Sequence, residues 1–234
     1  MKHNFIFVSI FIFLILVFPA FAEEDESLLD NPYVNKGWYL GGQASTNGWG
    51  FDIKYMFNKT ITFKTGFESL NLTYFFDFAE SQINFDAELN YRTGSIFLMT
   101  DFNITKWLYV STGAAQNTFN PQVKGVAISE LKYGDLLIPA SEVGDFVFQI
   151  EPGMKLSPYA GIGLRKFMGA KKRASFFFES GLYYLGAPKV EIEANGFLSP
   201  TADPAHGQRE ILENQFSQYK IYPIVKFSLA FKLF

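Results

Sequence analysis

The sequence predicts an all-β fold, an eight-stranded antiparallel up-and-down transmembrane β-barrel, and three observations carry that expectation. Apolar and polar residues alternate through most of the chain beyond residue 36, so each strand has one apolar face. Aromatic residues make up 18% of the chain, with 28 Phe and 12 Tyr, and charged residues only another 18%. The aromatics fall largely at every second position, and no apolar run after Ala22 is long enough for a membrane helix. A barrel in lipid accommodates all three: alternate side chains face hydrocarbon, while closure of the sheet pairs every backbone group. A soluble barrel with its apolar face inward alternates too, so a secreted lipocalin-like binding barrel stays open as the rival fold. Strand length and loop asymmetry favour the membrane barrel, because the long connections gather on one side and the tight turns on the other.

The N-terminal residues read as a secretory signal. Met1 to Asn4 form a short basic start, Phe5 to Phe18 an almost wholly apolar run, and Pro19-Ala20-Phe21-Ala22 a small-x-small site. Residues 1–22 are therefore expected to be a signal peptide cleaved after Ala22. Residues 23–36, polar with an acidic start, are expected to be a disordered lead, and residues 37–234 the barrel. The chain has no cysteine, which excludes disulfides, thiolate metal sites, cysteine nucleophiles and a lipid-carrying cysteine. The formal net charge of −3 speaks against nucleic acid as a partner.

Eight strands are expected in order. The first spans about Gly37 to Ser45. Asn47-Gly48 turns it into the second, Gly48 to Phe57, where Trp49, Phe51, Ile53, Tyr55 and Phe57 alternate with Gly50, Asp52, Lys54 and Met56. Asn58-Lys59 leads to the third, Thr60 to about Tyr74, whose phase changes near Leu70 and so predicts a bulge. The fourth is Gln82 to Asn103, with Ile83, Phe85, Ala87, Leu89 and Tyr91 opposite Asn84, Asp86, Glu88, Asn90 and Arg92. The fifth is Trp107 to Asn120, followed by a long irregular stretch, Pro121 to Asp145. The sixth runs from about Phe146 to Phe167, a basic turn from Met168 to Arg173, and the seventh from Ala174 to Asn195. A second long loop, Gly196 to Leu212, precedes the last strand, Glu213 to Phe234. An even strand number returns both termini to one side, with the turns near 58, 105 and 170. Pro158, Pro188 and Pro223 are expected to share one height near the far rim, because proline cannot donate to a ladder.

The last segment carries a resemblance. Val225, Phe227, Leu229, Phe231 and Leu233 share one face, and Phe234 stands one residue out of step, as a local bulge would leave it. Phe227, Leu229, Phe231 and Phe234 together resemble the signal by which bacterial outer-membrane barrels are recognised, which implies contact with barrel-insertion machinery. Pro158-Tyr-Ala-Gly-Ile-Gly163, Glu179-Ser-Gly-Leu-Tyr-Tyr-Leu-Gly-Ala-Pro-Lys-Val190 and Tyr222-Pro-Ile-Val225 are similar to the second half of a family of small outer-membrane barrels, eight-stranded like OmpA and OmpW. The resemblance implies a fold and a place, the bacterial outer membrane reached through the periplasm, with outer-membrane lipid as surroundings. It carries no catalytic motif.

Residue chemistry agrees that no enzyme is expected. Enzymes that act on lipid A from such barrels need a His with a Ser near the membrane edge. The only histidine after residue 22 is His206, in a Pro/Gly/Asp-rich loop where solvation accounts for it, and no Ser lies in a nucleophile turn. No cofactor is expected and no metal, for want of a second His, a Cys or clustered carboxylates. Gly161-Ile-Gly163 lies inside an alternating strand rather than before a helix, so it is not a phosphate loop. The Asn58, Asn71 and Asn103 glycosylation patterns read as chance matches at turns or in strands.

The candidate site is the set of charges opposite the aromatic face: Asp52, Lys54, Lys64, Glu68, Asp86, Glu88, Arg92, Arg165, Glu179, Lys226 and Lys232. Eight strands enclose a bore that side chains just fill, and unpaired buried charges are costly. These residues are expected to pair into a plug, with a narrow polar path for a small solute or ion as the alternative. The expected protein is a monomer with a structural or surface-interaction role.

Overall fold

A computed structural model describes residues 36–80, 83–134, 136–169, 173–203, 205 and 207–234. The expected signal peptide, nearly all of the expected lead, and His206 lie outside the described residues. The elements in chain order are β1 (Gly37–Ser45), β2 (Gly48–Met56), β3 (Ile61–Glu80), β4 (Ile83–Asn103), β5 (Leu108–Asn117), β6 (Gln122–Ala127), β7 (Leu131–Tyr133) and β8 (Leu136–Ile138). A short helix α1 (Ala140–Val143) precedes β9 (Asp145–Glu151), β10 (Leu156–Met168), β11 (Ala174–Tyr184) and β12 (Lys189–Ala194). After a 3-10 turn at Gly196–Leu198 come α2 (Ser199–Ala202), α3 (Gln208–Phe216) and β13 (Ile221–Lys232).

Eight of these strands close on themselves as an antiparallel barrel. Neighbours run β1-β2-β3-β4-β5-β10-β11-β13, with β13 back on β1. Closure leaves no free edge at barrel level. The strands rise and fall in sequence order, so the turns at 57–60 and 104–107, with the end of β10 and the start of β11, share one end with Gly37 and Phe234. These turns are short and locally satisfied: Asn58 Oδ1 accepts from the N–H of Thr60 (2.8 Å) and Ile61 (2.7 Å). At the other end β1 and β2 meet through Thr46-Asn47, with Gly48 at φ 122°. That left-handed value suits glycine alone.

The long connections are built differently from the loops expected of them. β3 and β4 continue past the barrel as one hairpin, and β6, β9 and β12 add to it in the order β12-β9-β6-β4. The stretch Pro121 to Asp145 is therefore mostly strand, held by ladders such as Phe85↔Ala127 and Leu89↔Val123. The loop Gly196 to Leu212 and the start of the expected last strand hold the 3-10 turn, α2 and α3. Together these elements form a flap above one end of the barrel. Its inner face is a second apolar layer of Ile83, Phe85, Ala127, Leu131, Ile138 and Val143, with Phe78 and Phe146 packed on it.

The flap corrects three further expectations. There is no bulge near Leu70: the β3–β4 ladder is unbroken from Ile61↔Phe102 to Glu80↔Ile83. The apolar phase switches there because the strand leaves the barrel: the face that met the polar lumen now carries Leu72 and Tyr74, both exposed, and ends on Phe78, which packs on the flap layer. The expected sixth and seventh strands are each two strands, β9 and β10 interrupted at 152–155, β11 and β12 at 185–188. Each pair changes partner at the break, which period-two alternation does not register. Leu89, on the apolar face of the expected fourth strand and so expected to face lipid as Phe51 and Leu229 do, lies half-buried in the flap.

The breaks at 152–155 and 185–188 sit level with the end of β5 and the start of β13. Asn117 N–H donates to Lys155 C=O (2.8 Å), Met154 N–H to Leu185 C=O (2.7 Å), and Leu185 N–H to Lys220 C=O (2.8 Å). Pro158 lies one residue before the β10–β11 ladder begins at Tyr159. Pro223 lies beyond the end of the β1–β13 ladder at Lys226. Each proline thus takes a place where no partner strand needs its N–H on one side. Pro188 departs from expectation, since it belongs to the linker between β11 and β12 and not to a barrel strand.

Candidate functional site

Alternation decides which residues enter the lumen. In β2 the burial order is strict, with Asp52 and Lys54 buried between exposed Phe51, Ile53 and half-buried Tyr55. β3 contributes Lys64 and Glu68, β4 Asp101, β10 Arg165, β11 Glu179 and β13 Lys226 by the same rule. These are the eight buried charged residues among those described, four cations and four anions.

Seven of them form three clusters, and Arg165 Nη2 donates to Lys106 C=O at 3.3 Å. Lys54 Nζ donates to Asp52 Oδ2 (2.5 Å) and to Ser228 Oγ (2.8 Å), and Ser228 donates to the same carboxylate at 2.9 Å. Lys64 bridges two carboxylates, Asp101 at 2.8 Å and Glu179 at still closer range, and Tyr159 O–H donates to Glu179 at 2.7 Å. Glu68 collects five donors: Gln43 (3.3 Å), Ser45 (2.8 Å), Asn47 (2.9 Å), Ser95 (2.9 Å) and Lys226 (3.2 Å).

Aromatic faces complete the solvation of the ammonium groups. Lys54 lies 4.4 Å from the Phe177 ring centre, Lys226 4.4 Å from Phe97, and Lys64 5.4 Å from Tyr109. At these distances the ring quadrupole attracts the cation. The void left between these side chains is about 20 Å³, room for about one water molecule. The lumen is balanced in charge and filled by side chains. Above and below it lie apolar plates, one with Phe97, Met99, Tyr159, Tyr183, Leu185 and Ile224, the other with Tyr39, Met56, Tyr109, Phe167 and Phe177.

The sequence-predicted set divides accordingly. Asp52, Lys54, Lys64, Glu68, Arg165, Glu179 and Lys226 come together in the lumen, and Lys232 lies half-buried at the end of β13. Asp86, Glu88 and Arg92 do not join them and are corrected here: they lie on the outer face of the flap, at exposed or half-buried positions. Above Thr93 the inward residues of β4 are apolar, so the polar phase points out. Sequence reading missed Asp101, although a signal was present, since Asp101 is out of phase with exposed Ile96, Leu98 and Phe102. Among the described residues no three His, Cys, Asp or Glu side chains are placed to hold a metal ion.

The outer wall is the inverse of the lumen. Trp38, Trp49, Phe51, Phe67, Ile96, Leu98, Ile162, Leu182, Leu229 and Phe231 are all exposed, and they surround the barrel as a belt. At its lower rim Leu233 N–H donates to Trp38 C=O (2.8 Å), while Trp38 N–H donates to Phe234 C=O (3.2 Å). Two residues thus oppose one, the arrangement of a bulge, and Phe227, Phe231, Leu233 and Phe234 all remain exposed.

No family model matches the chain, and no curated protein matches it. Among solved structures it is similar to Acinetobacter baumannii CarO, at 17% identity and a TM-score of 0.52, covering 83% of this chain and 96% of that one. Acinetobacter baumannii CarO2 is similar at 17% identity and a TM-score of 0.54, covering 84% and 98%. The attachment invasion locus protein Ail of Yersinia pestis aligns at 11% identity with a TM-score of 0.35, over 85% and 99%. The likeness to the two CarO structures is one of fold, and it agrees with the closed antiparallel barrel described above.

Proposed function

We propose that this chain is a non-enzymatic integral outer-membrane β-barrel whose sealed lumen makes it a rigid anchor for the surface-facing flap. The observation that carries this reading is the lumen: Lys54, Lys64 and Lys226 pair there with Asp52, Asp101, Glu179 and Glu68, and the side chains leave about 20 Å³, too little for a hydrated ion. The apolar belt supports the membrane part, because a soluble lipocalin-like barrel would turn that belt inward and its charges outward. The protein works as a monomer in outer-membrane lipid, and the terminal aromatic strand is the segment offered to the insertion machinery.

In planar bilayers the purified protein is expected to give no discrete conductance steps at neutral pH. Regular single-channel steps would replace the anchor with a channel. Fractionation tests the location: the protein should sediment with outer membranes and run faster on gels before boiling than after. Recovery in the soluble periplasmic or secreted fraction would reject the membrane reading.

Orientation has its own test. Lys132 lies in the β7–β8 hairpin, which is a separate sheet from the eleven-stranded one. Trypsin added to intact cells is expected to cut after Lys132 and to spare Arg173, which precedes β11 at the opposite end. The reverse pattern of fragments by mass spectrometry would invert the topology.

A further inference from the structure

Where β9, β11 and the residues before β13 part from the barrel, they leave a second cavity of about 390 Å³, far larger than the void in the lumen. Its walls come from the end of β9 and the residue after it (Ile150, Glu151, Pro152), the β11–β12 linker (Leu185, Pro188) and the start of β13 (Ile221, Tyr222, Pro223), with Phe119, Phe216 and Tyr219 completing it. The volume is in the range of small-molecule sites. A cavity of about 150 Å³ holds benzene, so this one accommodates a ligand of about fifteen non-hydrogen atoms.

Three features fix what it would accept. First, its backbone is short of donors, since Pro152, Pro188 and Pro223 all lack an N–H. Second, Glu151 is the single charged lining residue, and a carboxylate only accepts. Its Oε1 is held by Gln149 at 3.1 Å, itself held by Gln122 at 3.3 Å. Its Oε2 has no hydrogen-bond partner among the described residues. Lys189 stands across the ladder from Glu151 without closing an ion pair. Third, the rest of the lining is aromatic and aliphatic, and aromatic faces attract organic cations.

We propose that this cavity binds a small lipophilic ammonium compound, its apolar body among Phe119, Phe216 and Tyr222 and its cationic group on Glu151. The cavity is pre-formed: Val190 N–H donates to Glu213 Oε1 (3.1 Å), which fastens α3 to β12, and Phe148 packs on Phe216 with ring centres 6.3 Å apart. Ligand binding therefore orders little new structure, which favours affinity.

The test uses full-length protein in phosphatidylcholine nanodiscs, since detergent would compete for the cavity. The probes are para-fluorophenethylammonium, the matching alcohol and the matching propionate, followed by fluorine NMR titration. The ammonium should bind about tenfold tighter than the alcohol, the effect of one charged hydrogen bond, and the propionate should bind weakest. Glu151→Gln should reduce the ammonium to the level of the alcohol and leave the alcohol unchanged. Ile150→Trp should fill the cavity and abolish binding of all three, with gel mobility before boiling reporting the fold. Should that variant fail to fold, Phe216→Ala on the surface helix should still weaken all three probes. No binding to the wild type overturns the proposal, as does a cation preference that survives Glu151→Gln, or titrations unchanged by the cavity variants.

Discussion

Replacing Lys64 with Met is expected to destabilise the folded barrel by about 3–5 kcal/mol, the cost of leaving buried charge without its partner. Among the described residues Lys64 alone forms ion pairs with both Asp101 and Glu179, and its side chain is 6% exposed. Without it two carboxylates face one another in the lumen, with Tyr159 donating to only one of them. Urea unfolding in lipid vesicles, followed by tryptophan fluorescence, measures the loss. The double variant Lys64→Met, Asp101→Asn keeps three buried cations against three anions and should regain most of it, because the penalty belongs to uncompensated charge and not to the lost pair itself. A single variant within about 1 kcal/mol of the parent, the range of exposed ion pairs, would mean that the lumen is hydrated and the plug is not what fills it.

The second large effect lies on the other face. Phe51 and Leu229 are both opposite Gly42, one in the β1–β2 ladder and one in the β1–β13 ladder, so they share a height near the middle of their strands. Lys at either position should cost about 2–4 kcal/mol in a bilayer, as it does at the midplane of membrane barrels. Lys at Leu89 should cost far less, because that residue lies in the flap beyond the barrel. The same unfolding assay separates the three. Equal tolerance at Phe51 and Leu89 would place the belt in water and return the soluble barrel as the better reading.

Much of this was legible in the chain because a strand in a closed barrel has only two surroundings. One face meets the lumen and the other the outside, so a period of two in hydropathy assigns each residue at barrel level. Asp52 and Lys54 between Phe51 and Tyr55, or Lys226 between Val225 and Phe227, could be assigned without coordinates. The turns at 57–60 and 104–107 were legible for a local reason too, since Asn58 and Thr105 satisfy their own backbones.

What only the tertiary structure decided begins where the chain rises past the barrel. Alternation reports that one face is apolar, not what that face touches. In β4 above Thr93 the apolar phase packs into the flap layer instead of facing outward, which is why Asp86, Glu88 and Arg92 were drawn into the wrong set. The breaks at 152–155 and 185–188 were hidden because β9 and β10, and likewise β11 and β12, remain extended on both sides and change only their partners. Partner choice rests on contacts distant in sequence, such as Phe85 with Ala127 or Lys189 with Glu151. No local periodicity encodes these pairings, and the flap and its cavity depend on them. The sequence alone thus determined the two-faced barrel wall, while long-range pairing decided where the strands leave it.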